Sequence, residues 1–125
     1  MTDYKLLTKS ELQVMLTLWA MPDGGAFTKE LLQNFEEPKP AYTTLATFLK
    51  ILSTKGYVEI TKIGNMLYYR PKVTRDQYRL RIKAFVLETM YDGDSVLMLH
   101  NMLRNTEYTN EQIDQAIEIL QNARK

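Results

Sequence analysis

Residues 41–71 read AYTTLATFLKILSTKGYVEITKIGNMLYYRP, and they constrain the fold more than any other part of the chain. Leu45, Phe48, Leu49 and Leu52 fall at i, i+3, i+4 and i+7, the spacing of one apolar helix face. Thr43, Thr47, Lys50 and Thr54 lie on the opposite side, with Thr44 and Ala46 at its margins. Gly56 stands where a left-handed C-cap would end that helix. Tyr57 to Ile63 then alternates with period two, Met66 to Arg70 reads as a return strand, and Gly64-Asn65 is a two-residue hairpin signal. A helix that runs straight into a hairpin needs other helices behind it to cover its leucines.

The preceding sequence supplies them. Thr8-Lys-Ser-Glu11 is a capping box, in which the threonine bonds the N3 amide and the glutamate reaches back. Leu12, Met15, Leu16 and Trp19 continue it as a helix from about residue 9 to 20, which Pro22-Asp-Gly-Gly25 stops. Thr28 reads as the cap of a shorter helix carrying Leu31, Leu32 and Phe35, broken by Glu36-Glu-Pro-Lys-Pro40. Three helices followed by a hairpin make a winged helix-turn-helix. The expected fold class is mainly α with a small β-hairpin, completed by a C-terminal three-helix region.

That region begins with a second box, Thr74-Arg-Asp-Gln77, and a helix to about Tyr91. Asp92-Gly-Asp94 breaks it; Val96 to Leu103 suggests a fifth helix, and Thr109-Asn-Glu-Gln112 caps a sixth. The expected division is residues 1–72 for DNA binding and 73–125 for dimerisation. Some fifty residues bury too little surface to stand alone, so they must pack on the first domain or on a second copy. The seven methionines suit adaptable packing of either kind. The number of large apolar residues favours a symmetric dimer, with Phe85, Leu97, Leu99, Met102, Ile113, Ile117 and Leu120 as its candidate contacts.

The charge pattern points to the partner of the first part. The net charge is only +1, yet residues 39–83 carry ten basic side chains against Glu59 and Asp76. A basic middle between acidic flanks suits a polyanion, double-stranded DNA first. A recognition helix needs short hydrogen-bonding residues over the base edges, and Thr43, Thr44 and Thr47 meet that need, with Ala46 offering a methyl contact. Lys39, Tyr42 and Lys50 are placed to reach phosphates, and Lys62, Asn65 and Arg70 furnish the wing. The plainer reading of the same residues is a solvated helix face and a wing that contacts protein.

Other classes fit poorly. There is no cysteine, hence no disulfide or thiolate metal site, and no cofactor is expected. No apolar run approaches the roughly 20 residues of a membrane span, and the first residues do not form a signal peptide, so no membrane insertion and a cytoplasmic location are expected. His100 has no acid nearby in sequence to orient it, and Asp92-Gly-Asp94 lacks the ligand spacing of an EF-hand, so an enzyme is not expected. The alternative is a winged-helix regulator controlled by a protein partner or a small ligand, the latter held among Tyr57, Tyr68, Tyr69 and Tyr78.

Taken together, Leu7 to Met15 with Trp19, Tyr42 to Leu49, Lys55-Gly56, the Gly64 wing ending in Tyr68-Tyr-Arg-Pro71, Phe85 to Gly93 and Thr109 to Ile113 resemble the penicillinase-repressor type of regulator over nearly the whole chain. The resemblance implies a dimeric repressor with an N-terminal winged helix on palindromic operators and a helical dimerisation region behind it. It places the recognition positions on Thr43, Thr44, Ala46 and Thr47. The copper-responsive branch has a C-terminal cysteine cluster, which this chain lacks. The β-lactam-responsive branch is cut by a membrane-bound sensor protease system after an asparagine in the fifth helix. Asn101-Met102 falls there, with methionine where an aromatic is common.

Overall fold

Three helices and a small sheet build the first packing unit, which runs to Phe85. A computed structural model describes residues 3–125. Helix α1 (Lys9–Trp19) starts at the expected capping box: Thr8 N donates to Glu11 Oε1 at 2.9 Å, and Glu11 N donates to Thr8 Oγ1 at 3.2 Å. The short α2 (Thr28–Gln33) starts differently from the sequence reading. Phe27 is its N-cap and Thr28 its first, buried residue, while Glu30 accepts from Phe27 N at 3.0 Å. Helix α3 (Tyr42–Thr54) ends in a full Schellman closure: Gly56, at φ +83°, donates to Ser53 O, and Tyr57 N donates to Leu52 O at 2.8 Å. Leu52 and Tyr57, the pair that such a closure brings into contact, are both buried.

The hairpin joins β2 (Val58–Ile63) to β3 (Met66–Pro71), with Ile63 opposite Met66 and Gly64-Asn65 as the turn. Only Gly64 of the two has positive φ, the requirement of a type II′ turn. The sequence reading missed a third strand, β1 (Ala26–Phe27), which pairs with Tyr68 and Tyr69 to give the sheet order β1-β3-β2. Gly25 makes this possible. A Cβ there would sit 2.7 Å from the Tyr68 ring and 2.8 Å from the Tyr69 carbonyl.

The core lies where the inner faces of these elements meet. Met15 and Leu18 of α1, Leu31 of α2, and Leu45, Leu49 and Leu52 of α3 are fully buried, along with Val58 and Tyr69 of the sheet. Each such leucine contributes roughly 1.5–3 kcal/mol of burial. The start of α4 (Arg75–Tyr91) is locked to the same core. Tyr78 packs on Trp19 and Tyr57 and accepts from Leu7 N at 2.9 Å, while Trp19 donates to Val73 O at 2.8 Å. Tyr57, Tyr69 and Tyr78, three of the four tyrosines considered from sequence for a ligand pocket, are 1, 2 and 5 % exposed and belong to the core, while Tyr68 is half-buried and lies edge-on to Phe27.

The second unit runs from Val86 to Lys125 and holds the end of α4, α5 (Ser95–Leu103) and α6 (Asn110–Asn122). The division by packing therefore falls inside α4, whereas the division by role expected from sequence was at 72/73. Asp92 and Gly93 take positive φ to end α4, and Asp94 caps α5 through Leu97 N at 3.0 Å. Thr109 and Gln112 form the reciprocal cap of α6. No residue of this unit is buried.

Candidate nucleic-acid interface

Helix α3 divides cleanly. Its leucines point into the core, while Tyr42, Thr43, Thr44, Thr47 and Lys50 are exposed and Ala46 is half-buried. Thr43, Thr47, Lys50 and Thr54 follow one another at i, i+4, i+7 and i+11, one continuous outer stripe. Neither an acidic residue nor a side-chain cap occupies the start of this helix. The amides of its first turn are therefore left for an outside acceptor, and the positive end of the helix dipole favours an anion there. Lys39 stands just ahead, its Nζ 3.4 Å from Gln33 O.

The hydroxyls are not equivalent. Thr47 Oγ1 donates to Thr43 O at 2.9 Å, and Thr54 Oγ1 to Lys50 O at 3.2 Å. With its proton committed to the helix, the Thr47 oxygen offers lone pairs outward. That suits an amino group on a base edge, adenine N6 or cytosine N4, better than a base acceptor.

Strand register separates the wing residues that the sequence grouped together. Lys62 is opposite Leu67, and Arg70 is opposite Glu59. Because side chains alternate along a strand, Lys62 shares a face with Ile60 and Tyr69, whereas Arg70 shares the other with Tyr68. The Arg70 guanidinium lies 5.6 Å from the Tyr68 ring centre. Lys62, Asn65 and Arg70 are all exposed, but a surface laid flat on one face of the hairpin would meet only one of the two cations.

Internal partners thin the basic stretch further. Lys55 Nζ meets both carboxylate oxygens of Glu11, at 2.9 and 2.7 Å, and Arg79 pairs with Asp76 at 2.8 Å. Arg81 lies over the Tyr57 ring at 5.1 Å. Glu11 was legible only as a cap; its tie to a lysine 44 residues away has no sequence signature. Burial pushes the Glu11 carboxyl up. The hydrogen bonds from Lys55 and Thr8 and the nearby ammonium charge outweigh burial and hold it below its ordinary value. Tyr57 moves the other way: burial raises its phenol despite Arg81.

The expected dimer residues are exposed throughout. Phe85 lies edge-on to Tyr4 in the first unit, with ring centres 5.5 Å apart. In the second unit Leu97, Leu99, Met102, Ile113, Ile117 and Leu120 all face outward, and the last three form one stripe on α6. Asn101 is exposed and its amide donates to the Tyr91 hydroxyl; Met102 beside it is 59 % exposed. His100 is exposed as well. No described helix is long and apolar enough to cross a membrane.

The sequence profile of the penicillinase repressor family matches residues 7–122. A penicillinase repressor of Staphylococcus aureus is 22 % identical over 120 residues, covering 95 % of this chain and 94 % of the relative. One of Bacillus licheniformis is 26 % identical over 117 residues, covering 92 % and 89 %.

Proposed function

Because the chain belongs to the penicillinase repressor family, we propose that it represses transcription as a homodimer bound to palindromic sites in double-stranded DNA. The family consists of regulators rather than enzymes. The observation that carries the DNA reading is the outer stripe of α3, short hydroxyls and a lysine set against fully buried leucines on the opposite side. A helix of that kind enters a major groove without bulky groups to hold it off.

Support for the dimer comes from the second unit. From Val86 to Lys125 nothing is buried, yet large apolar side chains line α5 and α6. Exposed apolar surface of that extent marks an interaction site, and a second copy offers the same stripe in return. Two copies place two recognition helices on two half-sites, and coupling of dimerisation to DNA binding makes repression depend on protein concentration. Such a repressor acts in the cytoplasm by occluding polymerase.

Relief by proteolysis belongs to the same reading, with a membrane-bound sensor protease as the partner. Asn101 and Met102 are exposed, but their peptide bond lies near the end of α5. Proteases take extended chain, so the last turn must fray before a cut. A cut there severs α6, and Ile113, Ile117 and Leu120 with it, from the rest of the chain.

Selection of bound duplexes from a random pool, followed by substitution, tests the DNA reading. Thr47→Ala should weaken the selected duplex by about 1–3 kcal/mol and scrambled duplexes much less. Lys50→Ala should weaken all duplexes alike and lower the salt slope by about one. Unchanged binding by both variants would refute the assignment of this face. A cut-resistant variant at Asn101 that still loses repression normally would remove the proteolytic route.

A further inference from the structure

The outer side of α1, the turn between α2 and α3, and the start of α3 enclose a groove of about 720 Å³. Volumes of this order hold small organic molecules. Val14, Leu16, Phe35 and Phe48 supply its apolar part, and Leu16 is 40 % exposed although its neighbours on α1 face the core. Pro38 and Pro40 stiffen the turn that forms one wall.

The polar lining is one-sided. Glu36 and Glu37 are the charged residues of the groove, no lysine or arginine lines it, and among the described residues neither glutamate is in an ion pair. Glu37 Oε2 receives only a long contact from Lys39 N at 3.4 Å. Two further lining groups have already spent donors. The Asn34 amide donates to Glu30 O at 2.8 Å, and the Thr17 hydroxyl donates to Gln13 O at 2.9 Å. Ser10, Gln13 and Thr44 also line the groove and keep neutral donors and acceptors, so what sets its preference is charge: two exposed carboxylates beside an apolar floor, with no cation among the lining residues. An occupant that satisfies both brings N–H donors and positive charge on an apolar body.

Position gives the groove its consequence. Thr44 lines it and also belongs to the face of α3 proposed to meet base edges. We propose that this groove is a regulatory site for a small organic amine with an apolar body, and that its occupation competes with duplex DNA. The competition rests on the DNA-binding reading above; the amine site does not. By linkage, DNA must weaken the amine as much as the amine weakens DNA.

The test uses three probes of one shape and different charge: phenylbutylamine, phenylbutanol and phenylbutyrate. Each is titrated into the full-length, nitrogen-15-labelled protein, followed by amide chemical shifts. The amine is expected to saturate at roughly millimolar concentration, as suits a fragment of this size. It should shift the amides of Thr17, Asn34, Thr44 and Phe48. The alcohol should bind about tenfold more weakly, since one ammonium gains from two carboxylates, and the acid more weakly still. The double variant Glu36→Gln, Glu37→Gln should lower the amine to the level of the alcohol and leave the alcohol unchanged. Equal binding of the three probes, or shifts confined to other residues, overturns the site. Saturating selected duplex should weaken the amine at least about fivefold; a bound duplex that leaves the amine unaffected overturns the competition. Amine binding at the groove by a protein that binds no duplex keeps the site and sinks both the DNA reading and the competition.

Discussion

Removing Lys55 tests how α3 is held. Lys55 is the C-cap of α3, and its Nζ spans both carboxylate oxygens of Glu11 in the first turn of α1. The pair therefore fastens the far end of α3 to the start of α1. Its two halves are unequally exposed: the Glu11 side chain is 5 % accessible and that of Lys55 43 %. Exposed ion pairs contribute about 0.2–1 kcal/mol, and breaking a fully buried one costs about 3–5 kcal/mol. A half-exposed pair with two charged hydrogen bonds should couple by about 1–2 kcal/mol in a double-mutant cycle of Glu11→Gln and Lys55→Met. Lys55→Met alone should cost more than the coupling, because the Glu11 carboxylate stays buried with only Thr8 N to satisfy it. In a chain of this size that is a fall in Tm of at least about 4–8 °C. The pH dependence follows from the depressed Glu11 carboxyl. Its stabilisation is complete above the ordinary value of 4.5 and is lost as pH falls through the lower folded value. The stability gap between the native chain and Lys55→Met, measured by urea unfolding, should accordingly narrow as pH drops below about 4.5. A coupling under about 0.3 kcal/mol at neutral pH, or a gap that persists undiminished at pH 3, would refute the reasoning.

Gly25→Ala should destabilise the first unit by about 1–3 kcal/mol in urea, because the added methyl meets backbone as well as the Tyr68 ring; a neutral result would mean that β1 is not held against β3 as described. Ile117→Asp places a charge in the middle of the α6 apolar stripe. It should shift sedimentation at micromolar concentration from dimer to monomer while the near-ultraviolet signal of Trp19 is retained, and an unchanged dimer would move the interface elsewhere.

Much of this could be read from local pattern. The capping boxes at Thr8 and Thr109, the left-handed Gly56, the two-residue turn at Gly64-Asn65 and the leucine stripe of α3 each depend on residues a few positions apart, so their spacing suffices. The Thr28 cap was misread because threonine is a good cap and a tolerable first residue alike; Phe27 takes the cap because β1 holds it extended. A two-residue strand has no periodicity to detect, and β1 exists only because Tyr68 and Tyr69 come alongside.

What the amino-acid order determined alone is the sequence of elements and which face of each is apolar, since both follow from helix and strand periods. It also marked α3 as the exposed-threonine helix and α5 and α6 as short of a core. Tertiary structure decided which charges remain for a ligand: Lys55 is consumed by Glu11, and Lys62 and Arg70 fall on opposite faces of the wing. It also brought α1, the Glu36–Pro40 turn and Thr44 around one groove. Those outcomes depend on pairings between residues far apart in the chain, where register and packing, rather than local propensity, set the geometry.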